Sequence, residues 1–137
     1  MGEPMDRQRF EERTKDFIRA AYRLAEACEQ TFTPFIRDAI IQRFEFCWEL
    51  AWKVLKMRLE LVGVEVLTPR DVFREALEKG LIEDGNTWSE AQKMRNLTSH
   101  TYDEDLADRV YQFLLSHGRQ LFQSLELRVE TWLKDNP

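Results

Sequence analysis

Apolar residues recur along most of this chain at spacings of three and four, the period of an amphipathic helix. Phe10, Thr14, Phe17, Ala21, Leu24 and Cys28 define one face of a first helix over about Asp6 to Glu29. Thr33-Pro34 opens a second, which runs to about Val62. The threonine can accept a bond from the free amides of the first turn, and proline at the first position gives up no bond. Gly63 closes it where a left-handed residue is favoured. Thr68-Pro69-Arg70-Asp71 starts a short third helix that ends at Lys79-Gly80. Asp84-Gly85-Asn86 reads as a turn, and Thr87-Trp88-Ser89-Glu90 as the capping box of a fourth helix. A fifth, from about Asp103 to Trp132, carries Leu106, Val110, Phe113, Leu114, Leu121, Leu125, Val129 and Trp132. Asp103, Glu104 and Asp105 suit the positive end of its dipole. Gly118 inside it costs ~1 kcal/mol against alanine, which predicts a close helix crossing there.

The second helix departs from an ordinary surface pattern. On a wheel of ~100° per residue its apolar side chains fill an arc of roughly 240°, where a surface helix needs only ~100°. Such a helix is central to a bundle, or faces its bundle on one side and another subunit on the other. Arg43 and Arg58 lie inside the apolar arc and are expected to snorkel or pair with a carboxylate; a buried functional arginine is the alternative. Three long helices and two shorter ones joined by tight turns predict an all-α fold. Its form is an antiparallel up-and-down four-helix bundle with an additional short helix, one domain over residues 1–137. The apolar surface left over on so elongated a bundle makes a homodimer the expected state.

Composition narrows the function more than the fold. Glycine and proline together number 9 in 137 residues, too few for a sandwich or barrel, which needs a turn every ~8–12 residues. The net charge of −5 argues against coating duplex DNA through a general positive field. The acid excess is concentrated in residues 63–90, while the last third is nearly balanced. Cys28 and Cys47 both fall on apolar stripes, neither in a CxxC, and read as small buried hydrophobes. No apolar run approaches the ~18 residues of a membrane span, and the charged N-terminus has no signal-peptide core, so the expected location is cytoplasmic.

Phosphate loops, HExxH, GxSxG and cysteine–histidine metal spacings are all missing from the sequence, and no metal or other cofactor is expected. Glu45 and Glu49 share a face at i, i+4; without an ExxH partner they read as a solvated face, with Glu49 one turn before Lys53. His117 is given no function. One segment stands apart, Arg95-Asn96-Leu97-Thr98-Ser99-His100-Thr101-Tyr102, dense in groups that bind phosphate or move protons. On an ideal helix Asn96 and His100 share a face, and Arg95 lines up with Tyr102. The Thr-Ser-His-Thr run has weak helix propensity, so the helix can kink or end here, and a capped helix end is the plain structural reading. Lys93 and Arg43 could add local positive charge.

Arg95-x4-His100-x-Tyr102 resembles the RX4HXY form of the HEPN-superfamily motif found in HepT-type proteins. Beyond it, Gln42-Arg43-Phe44-Glu45-Phe46, Trp48-Glu49-Leu50-Ala51-Trp52-Lys53, Arg74-Glu75-Ala76, Gly80-Leu81-Ile82, Trp88 and the run from Arg95 to Glu104 resemble the nucleotidyltransferase substrate-binding protein family. The resemblance covers about residues 8–130. It implies a usually dimeric helical bundle that acts with a separate minimal nucleotidyltransferase (MntA-like). In HepT-type pairs it implies a toxin that cleaves RNA without metal and is neutralised when AMP is added to the motif tyrosine, here Tyr102. Arg95 and His100 would be catalytic and Asn96 supporting, with RNA or a nucleotide as ligand. The other reading is a noncatalytic subunit that presents substrate to the nucleotidyltransferase; a third is a helical scaffold.

Overall fold

A computed structural model describes residues 4–135. Its helices are α1 (Pro4–Cys28), α2 (Pro34–Leu61), α3 (Pro69–Glu78), α4 (Gly85–Leu97), α5 (Glu104–Phe113) and α6 (Arg119–Lys134). A 3-10 turn at Thr98–His100 follows α4, and a π-helical turn at Leu114–Gly118 joins α5 to α6 in one rod. The segments α1, α2, α4 and α5–α6 form the antiparallel four-helix bundle, and α3 is the additional short helix.

The helix starts follow their caps. Thr33 Oγ1 accepts from the Ile36 N–H at 3.0 Å, and Thr68 Oγ1 from the Asp71 N–H at 3.2 Å, each with proline at the first helical position. Gly63 and Gly80 end α2 and α3 at φ of +86° and +72°, the left-handed conformation that favours glycine.

One local expectation is corrected and another is sharpened. α4 begins at Gly85, not at Thr87, because Asp84 and not Thr87 is the cap. Asp84 sits at φ 60°, ψ 59°, and its Oδ1 accepts from the Thr87 N–H at 3.2 Å. Aspartate tolerates this left-handed conformation better than most residues. Hydrogen bonds from the Thr87 side chain and backbone hold the Asp84 carboxyl below the usual carboxylate range. A depressed folded-state pKa gives stability that is present above the unfolded value and lost as pH falls through the folded one. Acid melts of wild type should therefore show a loss that Asp84→Asn lacks, and parallel curves for the two would remove this link.

Gly118 is the sharpened one. The atoms nearest to it are local, and α4 also packs on this turn. A Cβ there would lie 2.7 Å from Leu114 Cδ2 and 2.9 Å from Phe113 Cε2, both side chains of the π-helical turn or its flank. A larger residue would require the Leu114 and Phe113 side chains to shift.

α2 is central, as its wide apolar arc predicts. It packs on α1, α3, α4 and α5 and buries Ile40, Ile41, Phe44, Cys47, Trp48, Ala51, Val54, Leu55 and Leu59. An aromatic chain joins the layers. Trp48 stacks on Phe73 at 4.7 Å between ring centroids, Phe73 on Trp88 at 5.0 Å, and Trp88 meets Phe122 edge-on at 5.8 Å. Phe122 in turn touches Phe44 and Phe17. Cys28 and Cys47 are free and buried, and burial pushes both thiols up. Part of the arc stays uncovered. Phe46 is 56% exposed and, with Leu50, Ile18 and Tyr22, lines a groove of ≈ 770 Å³ between α1 and α2.

The two arginines of the arc find partners. Arg43 Nη1 donates to the Arg23 carbonyl at 2.6 Å and lies 3.6 Å from Glu26. Arg58 lies over the Trp132 ring, 5.3 Å from its centroid, and burial lowers its pKa. At one pole Arg7 Nη2 donates to the Trp132 and Asp135 carbonyls at 3.2 and 2.7 Å, so α1 caps the end of α6. Among the described residues no helix is long and apolar enough to cross a membrane.

Candidate functional site

The motif segment departs from an ideal helix for reasons written in its side chains. Thr98 Oγ1 donates to the Arg95 carbonyl at 2.7 Å, Ser99 Oγ to the Asn96 carbonyl at 3.2 Å, and Thr101 Oγ1 to the Thr98 carbonyl at 3.2 Å. Three successive back-bonds of this kind compete with helical bonding and satisfy carbonyls that a helix end leaves free. α4 therefore stops at Leu97 and tightens into the 3-10 turn. Asp103 then caps α5, its Oδ1 accepting from the Asp105 and Leu106 N–H groups at 2.9 and 3.3 Å.

This geometry divides the motif into two groups. His100 and Tyr102 stand on the exposed turn between α4 and α5. Tyr102 is 84% exposed, and its hydroxyl lies 3.4 Å from His100 Nδ1. Arg95 and Asn96 instead line a shallow cleft of ≈ 340 Å³ with Trp48, Pro69, Gln92 and Ser99. The α-helix that would put Asn96 with His100 and Arg95 with Tyr102 stops at Leu97, so the ideal-helix alignment does not extend across the run. Among the described residues no side-chain hydrogen bond or ion pair joins the two groups, which lie on either side of that helix end.

Arg95 is held both by its own segment and by α2. Its Nη1 donates to Thr98 Oγ1 at 2.9 Å, and its Nη2 to Glu49 Oε1 at 3.4 Å. Glu45 lies 3.8 Å from Nη1. Glu45 and Glu49 are thus not a merely solvated face, and Glu49 faces Arg95 where the sequence pointed to Lys53. The Arg95 Nε is buried and without a hydrogen-bond partner among the described residues. The expected extra cations do not join the cleft: Lys93 lies 3.9 Å from Glu90, and Arg43 is turned onto α1. Among the described residues no group of three or more His, Cys, Asp or Glu could hold a metal ion.

Arg37 was not singled out by the sequence. It is 4% exposed, covered by its partners close to the surface. Its Nη1 donates to Glu104 Oε2 at 2.7 Å and Asp108 Oδ1 at 3.0 Å, and its Nε to Asp38 Oδ1 at 3.2 Å. Hydrogen bonds to Glu104 and Asp108 raise its pKa further. This clasp fixes the start of α5 against α2, and with it the turn that carries His100 and Tyr102. Its only sequence signal is the acidic first turn of α5, whose partner lies 67 residues away.

Comparison with known proteins places this arrangement. The family model for nucleotidyltransferase substrate binding protein like sequences matches residues 12–131. A Haemophilus influenzae protein named as a probable ribonuclease HepT is 42% identical over 76 residues, 52% of this chain and 52% of that protein. The match thus spans about half the length of that relative. A crystal structure from Thermus thermophilus superposes with a TM-score of 0.72 at 34% identity, covering 85% of this chain and 98% of the other. A second structure, from Haemophilus influenzae, is described as revealing the fold of a substrate binding domain of a nucleotidyltransferase. It gives 0.74 at 27% identity with the same coverage. With the family model spanning nearly all of the bundle and the fold shared across it, the chain belongs to the nucleotidyltransferase substrate binding protein like family.

Proposed function

We propose that the chain is a HepT-like, metal-independent ribonuclease that acts with a separate minimal nucleotidyltransferase and is switched off when AMP is added to Tyr102. The observation that carries this reading is the exposed turn on which the Tyr102 hydroxyl lies 3.4 Å from His100 Nδ1. A modifying enzyme can reach that hydroxyl, and AMP bound there adds bulk and negative charge beside the histidine. The 42% identical stretch shared with a protein named as a probable ribonuclease HepT favours it as well.

The chemistry is cleavage through the RNA 2′-hydroxyl. A base removes the hydroxyl proton, the 2′-oxygen attacks phosphorus, and an acid protonates the departing 5′-oxygen. His100 suits either proton transfer near neutral pH. Arg95 is the cation for the charged phosphorane, with Asn96 in support. One imidazole does not easily serve as base and acid together, so the active form is a homodimer that supplies a second His100. The uncovered apolar groove between α1 and α2 supports dimerisation.

The second reading, a noncatalytic subunit presenting substrate to the nucleotidyltransferase, draws on the neighbour described as a substrate binding domain. Mass spectrometry of the chain expressed with and without its nucleotidyltransferase separates the two. AMP on Tyr102 only in the pair, together with RNA cleavage in EDTA by the unmodified chain, is the expected result. An unmodified Tyr102, no cleavage, and nucleotidyl transfer to a third molecule would favour the second reading.

A further inference from the structure

Glu49 has two donors on one carboxylate. Its Oε1 accepts from Arg95 Nη2 at 3.4 Å, and its Oε2 accepts from Trp52 Nε1 at 3.0 Å. Trp52 lies one turn further along α2 and is partly buried, so it holds the carboxylate in a fixed orientation. Glu45 differs: it approaches Arg95 only at 3.8 Å, an ion pair without a hydrogen bond. On the other side Thr98 Oγ1, itself bound to the Arg95 carbonyl, takes Nη1. The guanidinium is therefore gripped from both sides at the cleft formed with Trp48, Pro69, Asn96 and Ser99.

We propose that Glu49, oriented by Trp52, is a positioning residue that holds the Arg95 guanidinium at the cleft to receive an RNA phosphate. The inference rests on the ribonuclease reading above. The bridge needs a carboxylate, since both oxygens accept; a glutamine offers one acceptor and would turn its amide N–H groups toward Trp52 or Arg95. A planar fork held in place loses less freedom when phosphate binds than a free side chain does. Charge alone argues the other way: Glu45 and Glu49 are two negative charges beside one positive, and either should repel phosphate. Position and charge therefore predict opposite signs at Glu49, while at Glu45 charge acts alone.

The test is the steady-state cleavage of a short single-stranded oligoribonucleotide. Glu49→Gln should raise KM roughly tenfold with a smaller change in kcat. Trp52→Phe should do the same, and the double variant should be no worse than Glu49→Gln alone. Glu45→Gln should lower KM. A fall in KM for Glu49→Gln would show that the carboxylate only repels and would overturn the proposal; so would additive losses in the double variant. Repeating the series as oligonucleotide Kd values in a His100→Ala background keeps it separate from the nuclease reading. Arg95-dependent binding without cleavage by the wild type defeats the nuclease and leaves the positioning role standing. Binding that does not depend on Arg95 overturns the positioning role.

Discussion

Replacing His100 with alanine is expected to lower RNA cleavage by ~10²–10⁴-fold, the usual contribution of a positioned general acid or base. The same variant, expressed without the nucleotidyltransferase, should no longer arrest growth. The fold should be unaffected, because His100 lies exposed on the 3-10 turn and its described side-chain contacts are with the neighbouring Tyr102, while its carbonyl bond from the Asp103 N–H survives the substitution. Arg95→Ala should also lose activity, by ~10²–10³-fold if it stabilises charge that develops in the transition state. It should in addition disturb its surroundings, since Glu45, Glu49 and Thr98 all lose a partner. His100→Ala is thus the cleaner probe of chemistry. Growth arrest by a soluble, folded His100→Ala protein at the wild-type level would remove the nuclease assignment.

The largest effect on stability is expected at Trp88. It is buried and touches Phe73, Phe122 and Trp48, and so ties α4 to α2, α3 and α6. Trp88→Ala should cost ~3–5 kcal/mol, the range for removing a buried aromatic side chain from a core that relaxes only in part. For a chain of this size that corresponds to a fall in Tm on the order of 10 °C, read by calorimetry or circular dichroism. Trp88→Phe keeps most of the apolar contact and should lose less than half as much. A loss below about 1 kcal/mol for the alanine variant would mean that Phe73 and Phe122 close over the gap and that the aromatic chain does not couple the layers.

The helices were legible because their signals are local. Thr33-Pro34 and Thr68-Pro69 act as caps where the sequence places them, and Gly63 and Gly80 close the helices they follow. The arc on α2 was legible too, since periodicity is a property of one helix. Misreadings began where two local signals competed. Thr87 with Glu90 has the spacing of a capping box, yet Asp84 takes the cap because aspartate can occupy the left-handed conformation. Gly118 signalled crowding correctly, but the atoms nearest to it belong to its own turn, with α4 packed beside that turn.

The candidate site is legible in the sequence as a run of residues and not as geometry. The run between Arg95 and Tyr102 marks the candidate, but the carboxylates that hold Arg95 sit 46 and 50 residues away on α2. At i, i+4 on one helix, Glu45 and Glu49 carry no mark of what approaches from α4. Thr98 was closer to hand: a hydroxyl three residues after an arginine, at a helix end, can bond back to that arginine's carbonyl. Arg37 shows the same limit, because nothing around Pro34 announces carboxylates 67 and 71 residues later.

The grip of Arg7 on the last carbonyls of α6 makes the described chain almost a closed ring. Residues 7 and 135 meet at one pole, although nearly the whole sequence lies between them. Proteins whose ends meet tolerate being joined there and reopened at an exposed turn. Connectivity between these two positions is therefore a loose variable in this bundle: a short link joining them could replace one of the inter-helix turns, and the order of the helices could be rotated without moving the cleft.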